Sequence, residues 1–352
     1  MPIKVLVVDD SFFSRKRLVE MLSSDSQIQI IDTARDGLEA IKKVAELKPD
    51  VVTLDIEMAK MDGLTALGHI MEEHPTPVIM VSTLTKEGSE ATAQALLKGA
   101  VDFIHKPTDL ASVNKIKDEL NFKVKAAIKA RFNRRSVPIP VGDFRQEPAS
   151  KFTAVTDKIV MIGASTGGPR ALIEILPRLP KNFPLPVAVI QHMPPGPFIK
   201  SIASRIDSES NIRVVEAQDG DRLTPGTAIM APGGYHMLIE KGGIVRLSHG
   251  PTVNSVRPSV DVMMSSGVAV YGANTIGVLL TGMGRDGADG MAVIKKKGGH
   301  TIAEHESTCV VYGMPKSVID EGNADVVAPL ERIPQEIMRM IEENARNAKL
   351  CG

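Results

Sequence analysis

The sequence predicts two α/β domains in tandem, each a largely parallel sheet with helices on both faces. Three observations carry that expectation. A length of 352 residues exceeds one typical domain, and a 43% hydrophobic share is enough for two cores. Short Val/Ile/Leu runs alternate with helix-like segments in two separate stretches, and strands buried on both faces read as such unbroken runs.

In the first stretch, residues 3 to 121, the runs are IKVLVV, IQIIDTA, DVVTLDI, PVIMVS and VDFIHKP. Helix-like segments such as FSRKRLVEMLSS and GLEAIKKVAELK follow them. Five such units make a flavodoxin-like (βα)5 domain over 1–121. From 122 the alternation stops: FKVKAAIKARFNRR is basic and weakly helical, and SVPIPVGDFRQEPASKFTAVT has prolines but no core period. Residues 122–156 therefore read as a linker. A second, mostly parallel doubly wound α/β domain is expected over 157–348. Its strands are KIVMIGA, PVAVIQH, IRVVEA, TAIMAP, HMLIE, IVRLSH, NTIGVLLTG and HTIAEH, and its main helices are ALIEILPRL, PSVDVMMSSGVAVYG and GADGMAVIKKKGG, with a last one near 331–347. The short glycine turn KGG makes HMLIE and IVRLSH a hairpin.

Composition narrows the function. With 42 basic and 42 acidic residues the formal charge is zero, which argues against nucleic acid as the main partner. Cys309 and Cys351 lie far apart, outside any metal-ligand spacing, so neither a disulfide framework nor a zinc site is expected. No run approaches the roughly 18 apolar residues of a membrane span. A cytoplasmic protein without membrane insertion is the expectation.

Ligands of open parallel sheets bind beyond the carboxyl ends of the strands. In the first domain Asp9, Asp10, Asp55, Ser82 and Lys106 all fall there. Clustered carboxylates suit Mg²⁺, an aspartate can accept a phosphoryl group, a lysine can neutralise it and a hydroxyl can donate to one of its oxygens. VVDDS, LDIEMAKMDG, MVST and the HKP after DFI resemble the receiver domain of bacterial response regulators. The resemblance implies Asp55 as phosphoacceptor, Asp9, Asp10, Asp55 and the carbonyl of Glu57 around Mg²⁺, and Lys106 on the phosphoryl group. It also implies Ser82 as the switch hydroxyl, preferred over Thr83, and Phe103 as the aromatic that rotates on switching.

In the second domain GASTGGP, residues 163 to 169, directly follows an apolar strand. It lacks the second glycine of a dinucleotide fingerprint and the lysine of a phosphate loop. It matches GxSxG, in which a sharp turn lifts a serine nucleophile, and equally a helix cap by Ser165 or Thr166. A nucleophile needs a base and an orienting acid. His192 and Asp286 end strands on the same edge, but His236, His305, Asp219 and Asp221 are alternatives by position. GASTGG, QHMP, RPSVDVMM and LTGMGRDG, in this order behind a receiver, resemble the CheB family, the protein-glutamate methylesterases of bacterial chemotaxis. That resemblance implies Ser165 as nucleophile, His192 as general base and acid, and Asp286 as the orienting carboxylate. The backbone N–H groups of Thr166 and Met283 are the expected oxyanion donors, and Arg257 is the cation nearest for substrate positioning. The implied substrates are glutamate methyl esters, and glutamines, of chemotaxis receptors. The implied phosphodonor is the chemotaxis histidine kinase, and the ester reaction needs no cofactor.

Overall fold

The computed structural model describes residues 1–82, 85–106, 112–128 and 157–350, and the chain divides into two compact units. The first carries β1 (Ile3–Val8), β2 (Ile28–Ala34), β3 (Val51–Asp55), β4 (Val78–Ser82) and β5 (Asp102–His105), paired in parallel in the order β2-β1-β3-β4-β5. Between and after them run α1 (Phe12–Ser23), α2 (Gly37–Leu47), α3 (Gly63–Glu73), α4 (Lys86–Leu97) and α5 (Ser112–Ala127). Side-chain caps start the first four: Ser11, Asp36, Asp62 and Thr85 each accept from an amide of the first turn. β1 and β3 lie side by side with their loops diverging, so Asp9 and Asp10 after β1 meet Asp55 at the end of β3.

The sequence reading ended this domain at 121, whereas α5 continues to Ala127. Val124, Ala126 and Ala127 are buried, and Lys125 pairs with Asp25 at 2.6 Å, so the start of the basic stretch is held by its apolar face and an ion pair. The rest of the expected linker, 129–156, lies outside the described residues, as do Thr83 and Cys351.

The second unit holds β6 (Ile159–Ala164), β7 (Val187–Gln191), β8 (Arg213–Glu216), β9 (Thr227–Met230), β10 (His236–Glu240), β11 (Ile244–Ser248), β12 (Thr275–Leu279), β13 (His300–Glu304) and β14 (Val326–Ala328). Seven of these form one all-parallel sheet, β14-β13-β12-β6-β7-β9-β8, while β10 and β11 pair as the expected antiparallel hairpin. The helices along residues 157–350 are α6 (Gly168–Ile175), α7 (Phe198–Glu209), α8 (Val260–Tyr271), α9 (Ala288–Lys296), α10 (Met314–Asp320) and α11 (Ile333–Leu350). Met161, Ile190, Met263, Met264 and Met291 sit in one buried cluster between the sheet, the hairpin and α8–α9. Strand order turns at β6, which sends one neighbour toward β7 and the other toward β12. The segments after β6, β7 and β12 therefore share one edge.

Candidate functional site

The turn after β6 is built around one left-handed residue. Gly167 takes φ 80° and is the N-cap of α6, without a side-chain cap bond, so neither Ser165 nor Thr166 is the cap. Ser165 itself is not among the non-glycine residues with positive φ. The left-handed strain that a serine elbow would carry is taken here by the glycine. The Ser165 amide donates to Thr281 O at 3.0 Å, which ties the turn to the segment after β12. That segment must pass close: a Cβ on Gly282 would lie 2.8 Å from Ser165 Cβ.

His192 follows β7, and its amide donates to Ala164 O at 2.9 Å, so it stands beside Ser165 on the neighbouring strand end. Its Nε2 is 2.8 Å from Asp286 Oδ2. With Asp286 ionised, Nε2 carries the hydrogen and Nδ1 is left as the acceptor. Among the described residues the Ser165 hydroxyl and His192 are not hydrogen-bonded to each other. Serine–histidine contacts of this kind often close only when substrate is present.

Asp286 is 3% exposed yet heavily donated to. Oδ2 also accepts from Val260 N at 2.6 Å, and Oδ1 from Ser259 Oγ at 2.7 Å and Asn254 Nδ2 at 2.9 Å. Burial pushes its carboxyl up, but His192, Asn254 and Ser259 more than offset this and hold it at about 2. Behind it, Asp261 accepts from the same Asn254 nitrogen at 2.8 Å. Burial, with Asp286 nearby, raises Asp261 to about 6. Sequence reasoning missed Ser259 and Asn254. The signal for Ser259 was present in RPSVDVMM, where a serine before an apolar helix reads as a cap, and it does cap α8. Asn254 gave none, because it acts from a left-handed turn, φ 51°, 32 residues from Asp286.

The positional alternatives are occupied elsewhere. His236 is buried, accepts from Ser259 N at Nδ1 and meets Pro251 O through Nε2. His305 Nδ1 pairs with Ser307 Oγ, Asp219 binds Arg246 and Leu247 N, and Asp221 accepts from Gln218 N. Of the expected oxyanion donors, Thr166 has its carbonyl held by the Thr281 hydroxyl at 3.0 Å, and the Met283 amide donates to no described residue. Arg257 Nη1 donates to His249 O and Gly250 O, so its guanidinium is tied to the hairpin's exit loop.

In the first unit Lys106 Nζ lies 2.6 Å from Asp55 Oδ2 and 3.1 Å from Asp9 Oδ2. Asp9, Asp10 and Asp55 offer oxygens within 4.8 Å of one another, Asp10 being the exposed one. This hard, all-oxygen set fits Mg²⁺. Burial raises Asp55 to about 6 despite Lys106, with Asp9 and Asp10 adding to the rise. Glu57 is exposed, two residues beyond Asp55. The Ser82 hydroxyl donates to Gly88 O and accepts from Thr92, both on α4. Phe103 is buried, edge-on to His105 at 5.2 Å.

Two family models match the chain: CheB methylesterase over residues 160–337 and response regulator receiver domain over 5–117. A protein of Symbiobacterium thermophilum named protein-glutamate methylesterase/protein-glutamine glutaminase is 49% identical over 97% of this chain and 98% of its own. Its namesake in Thermotoga maritima is 46% identical over 96% and 98%. The crystal structure of the Thermotoga maritima CheB methylesterase catalytic domain superposes with a TM-score of 0.51 at 50% identity, covering 53% of this chain and all of that one. No helix among the described residues is long and apolar enough to cross a membrane.

Proposed function

The chain belongs to the CheB methylesterase family, with a response-regulator receiver in front, and from that premise we propose that Ser165, His192 and Asp286 hydrolyse glutamate methyl esters on chemotaxis receptors. In kind it is a protein-glutamate methylesterase and protein-glutamine glutaminase. The observation that supports the residue assignment is the His192–Asp286 pair, 2.8 Å apart, on the strand end next to Ser165.

Ser165 Oγ attacks the ester carbonyl carbon while its proton passes to His192 Nδ1. The oxyanion forms against the amides of Thr166 and Met283. The tetrahedral species collapses, the C–O bond to the methoxy group breaks, and His192 returns the proton to give methanol. Water then attacks the acyl-serine with His192 again as base, and glutamate and free Ser165 result. A glutamine side chain follows the same route, with ammonia leaving. Asp286, kept anionic by its donors, holds Nε2–H and stabilises the imidazolium.

Control comes from the receiver. A chemotaxis histidine kinase supplies the phosphoryl group to Asp55, Lys106 and Ser82 bind its oxygens, and Asp9, Asp10 and Asp55 would hold Mg²⁺, whose charge would offset that of the phosphoryl group. Phosphorylation raises the esterase rate by shifting the chain toward an active arrangement. Methanol release from methylated receptor membranes, with and without a small-molecule phosphodonor, tests both sites. S165A is expected to release none, and release at the parental rate would overturn the nucleophile.

A further inference from the structure

The mechanism above makes no use of the buried acid Glu304. Glu304 ends β13, two strands from β6, and is 0% exposed. Its Oε2 accepts from Thr281 N at 2.7 Å, while no hydrogen bond from the described residues reaches Oε1. A fully buried carboxyl on a sheet needs a reason, because an apolar residue there would cost less.

Thr281 supplies the connection. Its carbonyl accepts the Ser165 amide at 3.0 Å, its hydroxyl donates to Thr166 O at 3.0 Å, and that hydroxyl accepts from Val311 N at 2.9 Å. One residue on, Gly282 donates to Val311 O and accepts from the Gly313 and Met314 amides, which sets the loop that presents Met283. The Ser165 amide and the Thr166 carbonyl are thus each one hydrogen bond from Thr281, and the Met283 loop is tied to it through the neighbouring Gly282. Thr281 N is in turn held by Glu304.

We propose that Glu304 is a positioning residue for the ester hydrolysis, clamping Thr281 so that the Ser165 turn and the Met283 loop keep the spacing a tetrahedral oxyanion needs. This rests on Ser165 as nucleophile. The carboxyl serves in its neutral form, since a negative charge behind the Thr281 amide opposes a second negative charge forming on the substrate. Its surroundings favour that form: burial, and then Glu331, raise it to about 7, against the Thr281 amide and the Thr308 and Cys309 side chains. The expected signature is an esterase rate that declines as pH rises through about 7 for a reason unconnected with the triad.

The test measures methanol release by the full chain with phosphodonor on methylated receptor membranes, and the rate at which a serine-directed covalent probe labels Ser165. E304Q keeps an acceptor for Thr281 N and cannot ionise. It should retain kcat within about threefold at pH 6.5 and lose the decline above pH 7. E304A should lose roughly 10- to 100-fold in kcat with KM unchanged, and label Ser165 correspondingly slowly. Parental kcat in E304A, equal impairment of E304A and E304Q, or an unaltered pH profile in E304Q would each sink the proposal. S165A separates the failures. An active S165A overturns both readings, whereas an inactive S165A beside an unimpaired E304A overturns this one alone.

Discussion

Asp55 and Asp286 occupy equivalent places in two unrelated sheets, and their protonation behaviour is opposite. Each lies at or beyond the carboxyl end of a parallel strand near the point where strand order reverses, and each is almost fully buried, 1% and 3% exposed. Burial alone would raise both. Asp55 has one lysine donor and two acid neighbours and is pushed up to about 6, while Asp286 has four donors and is held at about 2. The difference follows from the work proposed for each. An acid that must take a metal and a phosphoryl group is left short of donors, so that the incoming cation completes it. An acid that must only hold an imidazole is saturated, so that it stays ionised and still.

The most severe way to break this comparison is D286N. An amide presents N–H toward His192, Ser259 or Val260, the imidazole tautomer reverses, and Nδ1 no longer accepts the serine proton. The expected loss is on the order of 10³- to 10⁴-fold in kcat for methanol release. A loss under tenfold would mean that another acid orients His192. D55N acts on the other side. The ratio of rates with and without phosphodonor should fall to one, measured on the same membranes, and persistent stimulation would remove Asp55 as the acceptor.

Both acids were legible in the sequence, but for unequal reasons. Asp55 stood out because Asp9, Asp10, Ser82 and Lys106 converge on one strand edge, and convergence can be read from strand order alone. IKVLVV and IQIIDTA match β1 and β2 residue for residue, since buried parallel strands leave an unbroken apolar signature. Asp286 was selected by resemblance, because spacing could not rank His192 above His236 or His305. Partner occupancy sets His236 apart, since both of its nitrogens are engaged, with Ser259 N and Pro251 O. That is a long-range fact no local pattern carries. β14 (Val326–Ala328) and α10 (Met314–Asp320) went unread for a different reason, as three and seven residues are too few for a period to emerge.

The comparison is sharpened by removing single donors from Asp286. S259A and N254A each delete a hydrogen bond to a buried anion, worth about 1.5–3 kcal/mol. Asp286 should then release its hold on His192 in part, with kcat falling about tenfold in each and KM little changed. Asn254 also bridges to Asp261 at 2.8 Å, so its removal brings two carboxyls together without a shared donor. N254A should therefore show the larger effect, and the reverse ranking would mean that Asp261 is not coupled to the site.

Stability offers the gentlest test, and its sign differs between the two acids. Asp55, raised from 3.8 to about 6, binds its proton more tightly folded than unfolded. No penalty exists below pH 4, stability falls as pH climbs toward 6, and the full cost stands above that. In metal-free buffer at pH 7, D55N should stabilise the receiver by on the order of 2 kcal/mol, less whatever Lys106 loses, although Lys106 keeps Asp9 at 3.1 Å. Asp286, lowered from 3.8 to about 2, contributes stability that is complete above pH 4 and is lost as pH falls through 2. D286N should accordingly destabilise its own unit at pH 7 by about 2 kcal/mol or more. Thermal midpoints of the two variants at pH 7 and pH 4 decide the matter. The D55N gain must shrink at the lower pH while the D286N loss persists, because pH 4 lies above the folded pKa of Asp286 and below that of Asp55.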